Sequence, residues 1–210
     1  AAQAVMSGTQ DVVIASGVES MTRVPIGLPV TLAMQAGIGT GPFSKRIQDR
    51  FGVPMFSQFI GAEMIADKYG SSREEPDEFA HESHRKAARA TQAGDFDEEI
   101  VPLKVDGTEH RTDEGIRYDA TLESIASVKL LKEGGKISAA NASQICDGAS
   151  GVLVVSERAL KAHQLTPLAR IHNLTVTAGD PVIMLEEPIP ATRRALDRAG
   201  MSIGDIELYE

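Results

Sequence analysis

"ISAANASQICDGASGVLVVS", Ile137 to Ser156, carries the single cysteine of a 210-residue chain, and its reading decides the rest. The first half is small and polar and closes on an Asp-Gly pair, which favours a turn. From Gly148 the segment becomes a β-branched apolar run, the pattern of a strand buried on both faces. Cys146 beside that turn has two readings. A nucleophilic thiol needs a base, a cation or a helix N-terminus to hold it as thiolate. Its charged neighbour is Asp147, which opposes ionisation. A free cysteine is more commonly a small buried hydrophobe, and the sequence favours that state.

The flanking segments extend the pattern. "AAQAVMSG" is a helix end with Gly8 in cap position, and "DVVIASGVES" a second buried strand. "GVLVVSERAL" reads as a strand entering a helix, "PLARIHNLTVTAG" as an alternating strand, "PIPATRRALDRAG" as a helix capped by Gly200, and "DIELYE" as a last strand. From Thr22 to about Gly135 the character changes to Gly/Pro punctuation, amphipathic helices and charged loops. "SQFIGAEMIADKYG" aligns Phe59, Ala62, Ile65 and Ala66 on one helical face, with Gly70 as a stop. "SSREEPDEFAHESHRKAARATQAGDF" opens on a Ser72–Glu75 capping box and ends at Gly94; Pro76 as first helical residue is the alternative start. Strand, helical excursion, strand, helix, strand is an α/β arrangement.

Composition narrows the function. Hydrophobic residues make up 42% and charged residues 24%, as in an ordinary globular protein. A net charge of −9 argues against a general nucleic-acid surface, so an anionic ligand would need a local basic cluster. One cysteine permits no internal disulfide and fits a reducing, cytoplasmic location. Val24 to Ser44 is uncharged and long enough for a bilayer, but Pro25, Gly27, Pro29, Gly37, Gly39, Gly41 and Pro42 suit a loop packed on protein instead of a membrane span. The opening residues carry no signal-peptide pattern, and both ends read as cuts through secondary structure, so a fragment is expected.

Three clusters invite chemistry. His81 and His84 in "HESH" are spaced i, i+3, whereas the helical zinc motif needs i, i+4, so a solvated helix face is expected and no metal. "GIGTGP" has no apolar strand before it and reads as a loop. Arg117, followed by Thr121 and Ser124, can grip a phosphate or form a surface ion pair with Asp113, Glu114 or Asp119.

"GVESMTRVP", "GAEMIADKYGSSREEPDEFAHESHRKAARA", "DEGIRYDATLESIASV", the opening block, "PLARI" and "DPVIM…PIPATRRALDRAGMSIGDIELYE" occur in an order that resembles the thiolases. These are the acetyl-CoA acetyltransferases and 3-ketoacyl-CoA thiolases, and the resemblance spans essentially the whole chain. "FSQFIGAEMIADKYG" looks more like the broad acyl or steroid-type bacterial members. The resemblance implies a thiolase-like αβαβα layered α/β fold, incomplete, with a large loop-domain insertion. Residues 1–20 and 136–164 would belong to the N-terminal domain, 21–135 to the loop domain covering CoA, and 165–210 to the start of the C-terminal domain.

It also implies the chemistry of fatty acid metabolism and β-oxidation. A cysteine acyl-enzyme cleaves 3-ketoacyl-CoA with CoA or, reversed, condenses two acetyl-CoA. The C-x-S-G nucleophile would lie upstream of Ala1; N-E-A-F, G-H-P and C-x-G would lie beyond Glu210. No catalytic residue is therefore expected in this chain, which alone would be inactive. Coenzyme A would be a substrate, with no resident cofactor, and the assembly a homodimer or homotetramer. By motif, Arg117 matches the arginine near the adenine nucleotide, Ser124 and Ala139 match loop-domain contacts, Ser143 matches the serine near pantetheine, and Met184 matches the methionine near the acyl end. Ser143 as a plain turn residue and Met184 as core filling remain open. Two segments depart from the pattern. Leu185-Glu186-Glu187-Pro188 replaces G-x-G-P, and "VKLLK" lacks the aromatic expected around Leu131 or Lys132. They leave a non-catalytic acyl-CoA or lipid-binding protein as the alternative.

Overall fold

A computed structural model describes residues 1–39 and 41–210; Thr40 of the "GIGTGP" loop lies outside the described residues. The elements in chain order are α1 (Ala2–Met6), β1 (Val12–Glu19), α2 (Leu28–Gln35), α3 (Lys45–Phe51), α4 (Gln58–Lys68), α5 (Glu74–Ala93), β2 (Leu103–Val105), β3 (Thr108–His110), α6 (Leu122–Ala126), β4 (Gly148–Val155), α7 (Glu157–Ala162) and α8 (Pro188–Ala199). They fall into two units, one of Ala1–Lys45, Cys146–Asp180 and Glu186–Glu210, the other of Arg46–Ile145 and Pro181–Leu185.

In the first unit β1 and β4 form an antiparallel ribbon whose register runs from Val12 opposite Val155 to Glu19 opposite Gly148. A carboxylate fastens each end. Asp11 accepts from Ser156 Oγ at 2.7 Å and pairs with Arg158, while Ser156 Oγ caps α7 by accepting from the Ala159 amide. Asp147 accepts from the Thr22 amide at 2.9 Å, Thr22 Oγ1 at 2.5 Å and Ser20 Oγ at 3.2 Å. These donors, the Thr22 hydroxyl foremost, hold the Asp147 carboxyl below its ordinary value of 3.8. A depressed carboxylate stabilises the fold above its unfolded pKa. That contribution should be complete above about pH 4–5 and lost as pH falls through the lower folded value. An Asp147 carboxyl resonance that titrates at or above the ordinary value would contradict the clasp.

Both ribbon strands lie where the sequence places them, but their burial does not follow. Ile14, Val18 and Val152 are 72%, 82% and 62% exposed. A strand buried on both faces needs a layer on each; among the described residues only α1 and α7 lie against the ribbon, which leaves Val13 and Ala15 half-buried and their neighbours open. Cys146 is likewise exposed, contrary to the buried state its residue type favoured. Residues 167–179 and 205–210, expected as strands, form no ladder among the described residues. Strand character needs a hydrogen-bonding neighbour. Among the described residues, Val176 and Leu174 offer their carbonyls instead to Arg194 and Arg198 of α8, and Tyr209 folds back to the Ile203 carbonyl. The chain exposes 16409 Å², against about 9400 Å² for a folded monomer of its mass.

Val24 to Ser44 is also not all loop: Gly27 at φ +81° starts α2, with Pro29 in its first turn. No helix among the described residues is long and apolar enough to cross a membrane.

The second unit is built on α4 and α5. Helix α5 starts as the sequence directs. Ser72 Oγ accepts from the Glu74 and Glu75 amides, Glu75 accepts from the Ser72 amide, and Pro76 sits in the first turn. It ends at Gly94 in the left-handed region, φ +79°. In α4 the inward residues are Gly61, Glu63 and Ala66, and Phe59, expected on the apolar face, is exposed. β2 and β3 form a hairpin closed by Asp106-Gly107, both at positive φ.

Candidate functional site

A loop after the Leu130–Ser138 bridge is pinned to α4 and α5 by polar side chains. Glu63, 6% exposed, accepts from the Lys136 amide at 2.9 Å and the Ile137 amide at 2.9 Å. Asn141 accepts from the Ser138 amide and donates to Asp77 Oδ1 at 2.9 Å and to the Lys136 carbonyl at 3.0 Å. Asp77, 3% exposed, is paired with Arg73 at 3.2 Å, and Arg73 also donates to the Lys136 carbonyl. Arg73 Nη2 meets Asp77 only as an ion pair, without a hydrogen bond, but the carboxylates and the Asn141 amide are all hydrogen-bonded, and together they fix the loop in one conformation. Beyond it the chain emerges, leaving Ala139 and Ser143 exposed; Ser143 Oγ makes no hydrogen bond among the described residues.

A second feature is a cleft of about 270 Å³ between α5 and the segment 117–120. His81, Arg85 and Arg89 recur every four residues, so α5 presents them on one face toward it. Arg117 and Tyr118 form the opposite wall. The Arg117 amide donates to His84 Nδ1 at 3.3 Å, and its guanidinium reaches the Glu114 carbonyl at 3.4 Å. No carboxylate pairs with Arg117 among the described residues, so the ion-pair reading of this arginine does not hold. Arg85, by contrast, is held bidentate by Glu82 at 2.6 and 2.7 Å. The histidine pair thus lines a cationic cleft, which the i, i+4 recurrence signalled and the metal question obscured.

The five residues singled out by motif all lie in the second unit. Ser124 Oγ is engaged in capping α6, in reciprocal bonds with Thr121 at 3.0 Å. Gln144, next to Ser143, lies against Gly115, whose Cβ would sit 3.0 Å from Oε1. The loop bearing Ser143 and the segment bearing Arg117 are therefore neighbours. Met184 stands apart from both, pressed on Gly61 of α4, with φ +39° and its flanking residues joined by a 2.5 Å bond from the Leu185 amide to the Ile183 carbonyl. Sequence reasoning found none of Glu63, Asp77 and Asn141, although an acid centred among Ala62, Ile65 and Ala66 was a signal of a paired buried charge.

Comparison with known families matches residues 1–158 to "Thiolase, N-terminal domain" and 165–210 to "Thiolase, C-terminal domain". A steroid 3-ketoacyl-CoA thiolase, FadA6 of Mycobacterium tuberculosis, is 48% identical over 211 residues, covering all of this chain and 51% of that protein. An acetyl-CoA acetyltransferase of Cupriavidus necator is 39% identical, with all of this chain and 56% of that protein covered. The chain spans about half the length of the curated relatives it matches. Among solved structures, the dimeric peroxisomal thiolase of Saccharomyces cerevisiae superimposes with a TM-score of 0.82 at 33% identity, over 98% of this chain and 52% of that one. Human mitochondrial 3-ketoacyl-CoA thiolase in complex with CoA gives 0.78 at 32%, over 98% and 53%. The fold is thiolase-like and incomplete, mixing helices and strands.

Proposed function

We propose, because this chain belongs to the thiolase family, that the intact protein exchanges acyl groups between CoA thiols, and that residues 1–210 supply CoA-binding surface. A cysteine thiolate takes the acyl group of a 3-ketoacyl-CoA, releasing acetyl-CoA, and a second CoA accepts it; the reverse direction condenses two acetyl-CoA. Splitting the carbon–carbon step through a thioester lowers each barrier separately. The reacting cysteines and histidine fall outside these residues on this reading. Residues 1–20 and 136–164 are then N-terminal domain, 21–135 the CoA-covering loop domain, and 165–210 the start of the C-terminal domain.

The observation that carries the reading is the cleft with an uncompensated guanidinium, Arg117, beside a loop pinned at Lys136, Ile137 and Asn141 that presents the exposed Ser143. Arg117 receives the nucleotide end, where charge-assisted bonds to phosphate favour arginine. Ser143 Oγ and the exposed Ala139 backbone face the pantetheine, Ser124 supports that side through the α6 cap, and Met184 meets the acyl end. Arg117→Ala in the intact protein should weaken CoA binding by about 1–3 kcal/mol, as for a lost hydrogen bond to a charged group. Calorimetric titration with CoA tests this; an unchanged dissociation constant refutes the role. CoA binding with no acetoacetyl-CoA cleavage in the intact protein would favour the non-catalytic acyl-CoA-binding alternative.

A further inference from the structure

The cleft holds more positive charge than one arginine. Of its cations, Arg85 is already matched by Glu82, whereas Arg89 and Arg117 form no ion pair among the described residues. Among the described residues no carboxylate lines the cleft. Glu82 is engaged by Arg85 first and feels Arg89 only as the weakest of its cations, so in a chain of net charge −9 a cleft lined by three arginines marks a local anion site. The cleft, about 270 Å³, has room for a phosphate group together with its ribose. A phosphomonoester carries about −1.5 to −2 charge near neutral pH and three equivalent oxygens, enough to engage both forks, whereas each diester phosphate carries a single charge.

We infer that Arg89 is a specificity-determining residue that, with Arg117, grips the 3′-phosphate on the ribose of CoA. This rests on the CoA reading above and adds to it: the enzyme would discriminate CoA from dephospho-CoA, which differs only in that monoester. Arg117 comes from a loop whose amide is bonded to His84 Nδ1, and Arg89 from the last turns of the same helix, α5, so one helix holds both guanidiniums at the cleft. Ligand binding would need little reorganisation of either backbone.

The test is calorimetric titration of the intact protein with CoA and with dephospho-CoA, for the wild type, Arg89→Ala and Arg89→Lys. Wild type should prefer CoA, and Arg89→Ala should lose about tenfold to a hundredfold in CoA affinity while dephospho-CoA binding changes by less than about twofold. Arg89→Lys, which keeps the charge but not the fork, should retain part of the preference. Equal wild-type affinity for the two ligands overturns the inference and leaves the CoA reading standing, as does a parallel loss for both in Arg89→Ala. Binding of neither ligand by the wild type overturns the CoA reading and the inference together.

Discussion

Glu63→Ala should destabilise the intact protein by about 2–6 kcal/mol, from about 1–3 kcal/mol for each buried amide left without an acceptor. The Lys136 and Ile137 amides both donate to this carboxylate, and among the described residues neither has another acceptor. Gly135 lies against the same carboxylate, where a Cβ would collide with Glu63 Oε1. Asp67→Ala is the control. Its carboxylate pairs with Lys136 Nζ at 3.0 Å but is 69% exposed, so its loss should cost about 0–1 kcal/mol. Urea unfolding at unchanged m separates the two. The loop also carries Ala139 and Ser143, so Glu63→Ala should raise the CoA dissociation constant by loosening the loop, whereas Asp67→Ala should not. Equal midpoints for the two variants would mean that Glu63 does not hold the loop.

Local signals transmitted themselves well into this structure where short-range chemistry fixes the outcome. The Ser72–Glu75 exchange and the Gly94 stop of α5 depend only on residues within a turn of each other, and both are found as read. The Asp106-Gly107 hairpin was equally local, yet it was passed over inside a stretch taken as charged loop. Burial was less legible because it belongs to neighbours and not to the strand. The apolar run of β4 predicted cover on both faces, and the described residues leave Val152 and Leu153 open. The same holds for residues 167–179, whose alternation is real but whose carbonyls meet arginines, not a ladder.

The site divided along the same line. Arg117 was visible as a phosphate-binding residue type in a polar setting, but its freedom from the nearby acids, and its partnership with Arg89 a helix away, depend on how α5 packs. Glu63 and Asn141 act at separations of more than sixty residues or across a loop turn, which no pattern within one element discloses.

Gly61→Val should be the other strongly destabilising change. A glycine inside α4 costs the helix about 1 kcal/mol relative to alanine, so its presence needs a tertiary reason. That reason is the Ile183 carbonyl oxygen, 2.6 Å from where a Cβ would stand, with the carbonyl carbon at 3.3 Å and Met184 Cγ at 3.5 Å. The obstacle is backbone, and it cannot swing aside as a side chain would. Ile183 is buried, and Met184 already holds φ +39°, a region unfavourable to any residue with a Cβ. Overpacking costs about 1–3 kcal/mol in a well-packed site. For Gly61→Ala that loss outweighs the roughly 1 kcal/mol gained in helix propensity only if the turn cannot retreat. For Gly61→Val, a β-branched residue with little helical advantage, both effects run the same way. The consequence for function is directional: displacing residues 181–185 moves Met184, at the proposed acyl end, and leaves Arg117 untouched. The KM for a 3-ketoacyl-CoA should therefore rise more than the dissociation constant for free CoA. If Gly61→Val is as stable as the wild type, or if both constants change equally, the close approach of this turn to α4 does not position Met184.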